Sequence, residues 1–364
     1  MGKSVLLSPY KLGLIELKNR IVMAPMTRSR AIGNIPNEIM AKYYGQRAGA
    51  GLIVTEGTSP SPNGLGYSRI PGIFSREQIE GWKLVTKAVK ENGGHIFLQL
   101  MHTGRIGHEA NLPKGGRVLS PSAIKPKGQM FTDAHGLQDF PVPTAVSLDD
   151  LQTAKKEYVQ AAKNAVEAGF DGVELHGANG YLIEQFISPH SNQRSDYYGG
   201  SIENRSRFLI EVSEEVARVV GTARLAVRLS PYGVASDMPP YPEIDATYTY
   251  IADHMNKISP AYLHIVDHSS MGAPHVPISI KQTIREKYKG TVILAGGFNQ
   301  ESADAVIASG LCDLVAFGKP FISNPDLVNR MENGLSLNMN YDMKTFYSPG
   351  EAGYTDYPVY ELAK

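Results

Sequence analysis

Eight short apolar runs, most of them separated by a stretch of helical periodicity, narrow what this chain can become more than any other feature. The runs are Arg20–Met23, Leu52–Thr55, Ile96–Leu100, Gly172–Leu175, Leu225–Leu229, Tyr262–Val266, Val292–Ala295 and Leu314–Phe317. The amphipathic stretches are Asn37–Arg47, Arg76–Glu91, Leu148–Ala168, Asn204–Val220, Ala246–Ile258, Ile278–Tyr288, Gln300–Ala308 and Asp326–Glu332. Strands joined by crossover helices pair in parallel. Eight such units predict an α/β fold closed into a (β/α)8 TIM barrel rather than an open sheet. End signals agree with this parse. Ser147 caps a helix whose first turn carries Asp149 and Asp150, and Gly169 ends it in a left-handed turn.

Three stretches do not fit the alternation, the tail after Leu335 among them. Residues 6–19 precede the first strand as an N-terminal extension. Residues 103–146, between strand 3 and helix 3, are rich in Pro and Gly and too long for a bare loop. An inserted hairpin or lid is expected there. With no linker and no low-complexity stretch, residues 1–364 read as one domain carrying decorations.

Composition excludes several classes of function. Lys+Arg and Asp+Glu are both 36, so the net charge is +0. That balance, with no basic cluster, argues against nucleic acid and anionic membrane as partners. The single cysteine, Cys312, leaves no intrachain disulfide and no cysteine-rich zinc site. The histidines lack metal-ligand spacing, so no metal is expected. Met1–Lys11 has no signal-peptide pattern and no apolar run reaches membrane-spanning length. A cytoplasmic protein is the expectation.

In a barrel of this kind, functional residues sit where strands end. Strand 4 leads into His176 and Asn179, two donors able to converge on one acceptor oxygen. Tyr181 follows and could deliver a proton. Glu174 shares the face of His176 by strand alternation and is expected to fix its tautomer. The bland alternative is a histidine and an asparagine satisfying loop backbone. Arg228 falls inside the apolar strand Leu225–Leu229, so it faces either a buried anion or a structural ion partner. Gln99 ends another apolar strand. After strands 7 and 8, Gly296, Gly297 and Gly318 can let backbone N–H groups approach a phosphate, and Lys319 adds a cation. Glycines at strand ends also simply make tight turns.

These residues lie within longer motifs. His176-Gly-Ala-Asn-Gly-Tyr-Leu-Ile-Glu-Gln-Phe186 runs on to Arg194-Ser-Asp-Tyr-Tyr-Gly-Gly-Ser-Ile-Glu-Asn-Arg205, and Val315-Ala-Phe-Gly-Lys-Pro-Phe-Ile-Ser-Asn-Pro325 follows later. With Asn19–Arg28 and Gly353–Pro358 they make the chain resemble the Old Yellow Enzyme family of flavin mononucleotide (FMN)-dependent ene-reductases over nearly its whole length. The resemblance implies non-covalent FMN and NADPH or NADH as reductant. It implies alternating use of one site by reductant and by an unsaturated aldehyde, ketone or nitroalkene, in a monomer or homodimer. Hydride would pass from flavin N5 to the substrate Cβ. Pro25, Met26 and Gly57 would line the flavin ring, Thr27 would approach its C4 carbonyl and Gln99 its pyrimidine edge. Arg228 would stabilise the reduced anion, and Gly296, Gly297, Gly318 and Lys319 would hold the phosphate. His176 and Asn179 would grip the substrate oxygen, Tyr181 would protonate Cα, and Tyr347 and Met101 would line the substrate pocket.

The chain also departs from the pattern. Lys319 replaces a usual Arg and grips phosphate without a bidentate fork. Met101 stands for a frequent Trp, which predicts a wider pocket. Gly57 replaces a usual Ala, and Thr27 places the chain outside the cysteine-bearing subgroup. Two rival readings remain at this stage. One is a Schiff-base lyase using Lys319. The other is a flavin or ligand carrier without turnover.

Overall fold

The computed structural model describes residues 4–360; residues 1–3 and 361–364, the ends of the expected one-domain span, lie outside them. Eight parallel strands close into a barrel. They are β1 (Ile21–Met23), β2 (Leu52–Val54), β3 (Ile96–Leu100), β4 (Gly172–Gly177), β5 (Leu225–Leu229), β6 (Tyr262–Val266), β7 (Thr291–Ala295) and β8 (Leu314–Phe317). They pair in chain order, and β8 returns to β1 through Val315 opposite Ile21. All eight are buried, as expected for strands covered on both faces.

The expected elements recur with ends shifted by a residue or two. The helix at Leu148–Glu167 begins at Ser147, whose hydroxyl and Asp150 form a reciprocal capping box. It ends at Gly169, where φ is +91°. One of these shifts, that of β4, bears on the site. Pairing with β5 continues through Gly177 opposite Leu229, so His176 lies inside the strand, opposite Arg228, rather than beyond its end. Two short helices, Leu182–Ile187 and Lys319–Ser323, carry no amphipathic signal. The first is buried on all sides and so shows no polar face.

Inside the barrel, Val22, Leu52, Phe97, Ala226, Tyr262, Ile293 and Leu314 form one apolar cluster. The extension supplies a hairpin, Tyr10–Leu12 against Ile15–Leu17, that adds Leu12 and Leu17 to this cluster. It packs beside Ala223, ahead of β5, and thereby plugs the N-terminal end. The opposite end is left for chemistry. The insertion at 103–146 does contain a hairpin, Gln129–Thr132 against Gly136–Asp139. No helix among the described residues is long and apolar enough to cross a membrane.

Candidate active site

A cavity of about 900 Å³ opens at the C-terminal strand ends. Its floor carries Pro25, Thr27, Gly57, Gln99, Met101, His176, Asn179, Tyr181 and Arg228, and the tail residue Tyr347 reaches its rim. Gln129, Met130, Phe131 and Leu137 from the inserted hairpin line it as well, with Phe140 just after it. The floor carries directional polar groups, and the insertion side is apolar apart from Gln129.

His176 is 3% exposed, and burial followed by the charge of Arg228 pushes its pKa well below the ordinary value. It is neutral at physiological pH, and its Nδ1 has no hydrogen-bond partner among the described residues. Asn179 adopts φ +59°. Its backbone N–H donates to Ser230 Oγ at 2.9 Å, and Ser230 donates to Glu184 at 2.6 Å. Glu184 also accepts from Gly180 N–H at 2.6 Å and from Tyr248 at 3.0 Å. Burial raises Glu184 to about 7. The donor loop is thus held from beneath by one buried carboxylate. At its side, His268 Nε2 lies 2.8 Å from Asn179 Oδ1.

Tyr181 caps the helix Leu182–Ile187, and its ring meets that of His176 edge-on at 4.8 Å. Its hydroxyl is 3.0 Å from that of Tyr67. Burial raises the Tyr181 pKa, and the bond to Tyr67 opposes the rise. A tyrosine held protonated and tied to a second hydroxyl can give up a proton and have the resulting charge stabilised.

Glu174 does not reach His176, contrary to the expectation from strand alternation. Gln99 Nε2 donates to its Oε1 at 2.7 Å, and His264 Nδ1 lies 2.9 Å from its Oε2. Gln99 stands opposite Glu174 in the parallel register, and His264 is two strands away on a closed barrel interior. Burial alone would raise Glu174, but His264, Arg228 and Gln99 hold it low, as a carboxylate. An ionised Glu174 accepts only, which leaves Gln99 Oε1 free to accept from a ligand. Arg228 is 5% exposed, forms no ion pair among the described residues, and leaves Nε buried without a partner. The structural ion-pair reading therefore fails, and the side chain is poised for an anion that the protein itself does not supply.

Met101 packs against Gly57. A Cβ built on Gly57 falls 2.4 Å from Met101 Sδ, so Met101 occupies the space an alanine there would use. The two departures are coupled, since Met101 fills the space beside Gly57 and also lines the cavity.

Met26, Gly296, Gly297, Gly318 and Lys319 do not line this cavity. The residues after β7 and β8 are neighbours, since Ala295 pairs with Ala316. A Cβ on Gly296 would stand 2.8 Å from Asp267 O, and Gly297 has φ +72°, so both need glycine for backbone reasons. Met26 lies under Gly318. Lys319 is exposed at the start of its short helix, unlike a desolvated Schiff-base lysine.

Sequence reasoning missed Tyr67, Ser230 and His268, and it did not explain how the tail is fixed. Buried Arg28 and Arg30 both donate to Phe346 O, at 3.1 and 2.7 Å, and Arg30 also donates to Thr345 O at 2.7 Å. Tyr354 stacks on Tyr43 at 4.0 Å. Arg69 Nη2 donates to Tyr347 O at 2.8 Å, which sets that aromatic on the rim. The charged run Thr27-Arg28-Ser29-Arg30 was the available signal.

A neutral histidine, a protonated tyrosine and a buried cation without an ion partner thus meet at the barrel mouth. The comparisons narrow the class. Residues 5–338 match the NADH:flavin oxidoreductase / NADH oxidase family. A putative 12-oxophytodienoate reductase 11 of Oryza sativa subsp. japonica is 40% identical over 97% of both chains. A probable flavin mononucleotide-dependent alkene reductase of Leishmania infantum is also 40% identical over 97% of both. Among solved structures, morphinone reductase superposes with a TM-score of 0.94 at 41% identity, covering 98% of this chain and 96% of that one. The old yellow enzyme homologue from Zymomonas mobilis gives 0.92 at 39%, covering 97% and 99%. The chain belongs to the NADH:flavin oxidoreductase / NADH oxidase family and is an FMN-dependent oxidoreductase, which bears out the resemblance to the Old Yellow Enzyme family.

Proposed function

We propose that this chain reduces the activated C=C bond of α,β-unsaturated aldehydes, ketones or nitroalkenes, with NADPH or NADH as the source of electrons. The observation that carries the reading is the convergence of His176, Asn179 and Tyr181 on one cavity beside an unpaired Arg228.

The residues fit FMN. Arg228 offers a buried cation without a partner, Gln99 offers a free acceptor, and Pro25, Thr27 and Gly57 line the same floor. Met26 sits beside them. Gly296, Gly297, Gly318 and Lys319 would hold the phosphate on the adjoining rim. When bound, FMN supplies the hydride that the side chains here cannot.

The protein's part is to bind, orient and protonate. Neutral His176 and the Asn179 amide donate to the substrate's activating oxygen and stabilise charge developing there. Tyr181 gives its hydroxyl proton to the carbon left carbanionic, and Tyr67 solvates the resulting tyrosinate. Tyr347, Met101 and the insertion residues Met130 and Phe140 enclose the apolar remainder of the substrate. Reductant and substrate share the cavity and take turns in it. The 103–146 insertion acts as its roof, within a single FMN-binding barrel domain.

An anaerobic visible titration tests the reading. Yellow protein should bleach with NADPH and recover its colour on adding cyclohexenone. Protein that takes up no FMN, or bleaches and never recovers with any enone or nitroalkene, would sink it.

A further inference from the structure

Asn179 can serve a substrate oxygen through one end of its amide. Nδ2 donates, whereas Oδ1 accepts and would repel a carbonyl. A half-turn of the amide exchanges the two ends at almost no steric cost. The bonds to Ser230 and Glu184 hold the Asn179 backbone and leave that half-turn undecided. Among the described residues, the hydrogen-bond partner of the amide is His268, whose Nε2 lies 2.8 Å from Oδ1.

We propose that His268 is a positioning residue: by donating Nε2–H to Asn179 Oδ1, it holds the amide with Nδ2 turned toward the substrate oxygen. The inference rests on the substrate grip proposed above. His268 does not line the cavity and acts through Asn179. Its own place is well anchored. The His268 carbonyl accepts from Met271 N–H at 2.8 Å and Ala273 N–H at 3.3 Å. The preceding Asp267 receives Lys281 Nζ at 2.7 Å and Ser269 N–H at 2.9 Å. The ring therefore springs from a fixed turn after β6 and meets an asparagine 89 residues earlier in the chain. Had Nε2 lacked its proton, the amide would turn its Nδ2 to His268, and the cavity would meet an acceptor. The state of one ring nitrogen outside the cavity thus decides the polarity of one wall within it.

The test uses the FMN-loaded protein and 4-hydroxybenzaldehyde, whose phenolate oxygen mimics the charged substrate oxygen, titrated by the flavin spectrum. His268→Leu should raise its Kd on the order of 10-fold, the loss of one directed bond to a charged oxygen. His268→Gln keeps an N–H at similar reach and should stay within about 3-fold of wild type. In an Asn179→Ala background, His268→Leu should add nothing, because the effect passes through that amide. Should His268→Leu lose flavin, His268→Ala with and without added imidazole replaces it, imidazole restoring the affinity. The inference falls if His268→Leu leaves the Kd unchanged while Asn179→Ala raises it, or if the two effects add. If Asn179→Ala itself leaves the Kd unchanged, the substrate grip falls first and the inference with it.

Discussion

The rim of this barrel divides into two arcs that are built in opposite ways. Over β3 to β6, the site consists of buried and half-buried side chains, most of them tied to a second group, while His176 Nδ1 and Arg228 Nε keep no partner among the described residues. Gln99 is tied to Glu174, Asn179 to His268, Tyr181 to Tyr67, and the loop beneath them to Glu184. Over β7 and β8, the glycines are half-buried at Gly296 and Gly318 and exposed at Gly297, with an exposed Lys319 beside them. The contrast follows from the task proposed for each arc. A developing charge at one atom needs donors fixed in direction before the reaction, and a second hydrogen bond fixes them. A phosphate has several equivalent oxygens and accepts any nearby N–H, so close approach and a positive charge are enough.

Substitutions should therefore cost most in the tied arc. His176→Ala is expected to slow enone turnover on the order of 100-fold or more while NADPH still bleaches the flavin. Stopped-flow rates for the two half-reactions measure this, and equal losses in both would erase the distinction between the arcs. Tyr181→Phe should lower the enone half-reaction by roughly 100-fold and nitroalkene reduction much less, since a nitronate can leave unprotonated. Equal rates with both substrates, relative to wild type, would remove Tyr181 as proton donor.

A pH effect comes next. Burial raises Glu184 from 4.5 to about 7, so the folded protein holds that proton more tightly than the unfolded chain. Its contribution to stability is present below pH about 4.5 and is lost as pH rises through about 7. Glu56, also raised to about 7 by burial, acts in the same direction. Glu184→Gln should flatten the Tm profile across that window, with Glu56 supplying the remaining slope. An unchanged profile would mean that Glu184 is ionised throughout.

The smallest effect belongs to the open arc. Lys319→Ala should weaken FMN binding by less than about 10-fold, and the loss should shrink in high salt, because an exposed cation is screened. A loss as large as that of His176→Ala, and insensitive to salt, would show that the open arc is as tightly specified as the other.

How much of this was legible beforehand follows the same division. The eight alternating units were readable because apolar period and helix caps are local, and the closed order follows from parallel crossovers. The residues at strand ends were readable too, since barrel topology places them. The loss of the expected Glu174–His176 contact shows where local reasoning stops. Alternation puts the two on one face, but closure brings Gln99 and His264 nearer to that carboxylate. The coupling of Gly57 to Met101 was equally hidden, because neither residue signals the other along the chain.

The chain by itself determined the barrel and most of the side chains offered at its open end. Periodicity, capping and turn chemistry act over a few residues and are written in order. Tertiary structure alone decided which atoms meet: His268 with Asn179 across 89 residues, Tyr67 with Tyr181 across 114, and Arg28 with the tail across 318. Such pairs depend on how far each strand runs and how the loops stack once the sheet closes, and a difference of one residue in register would redirect every donor in the site.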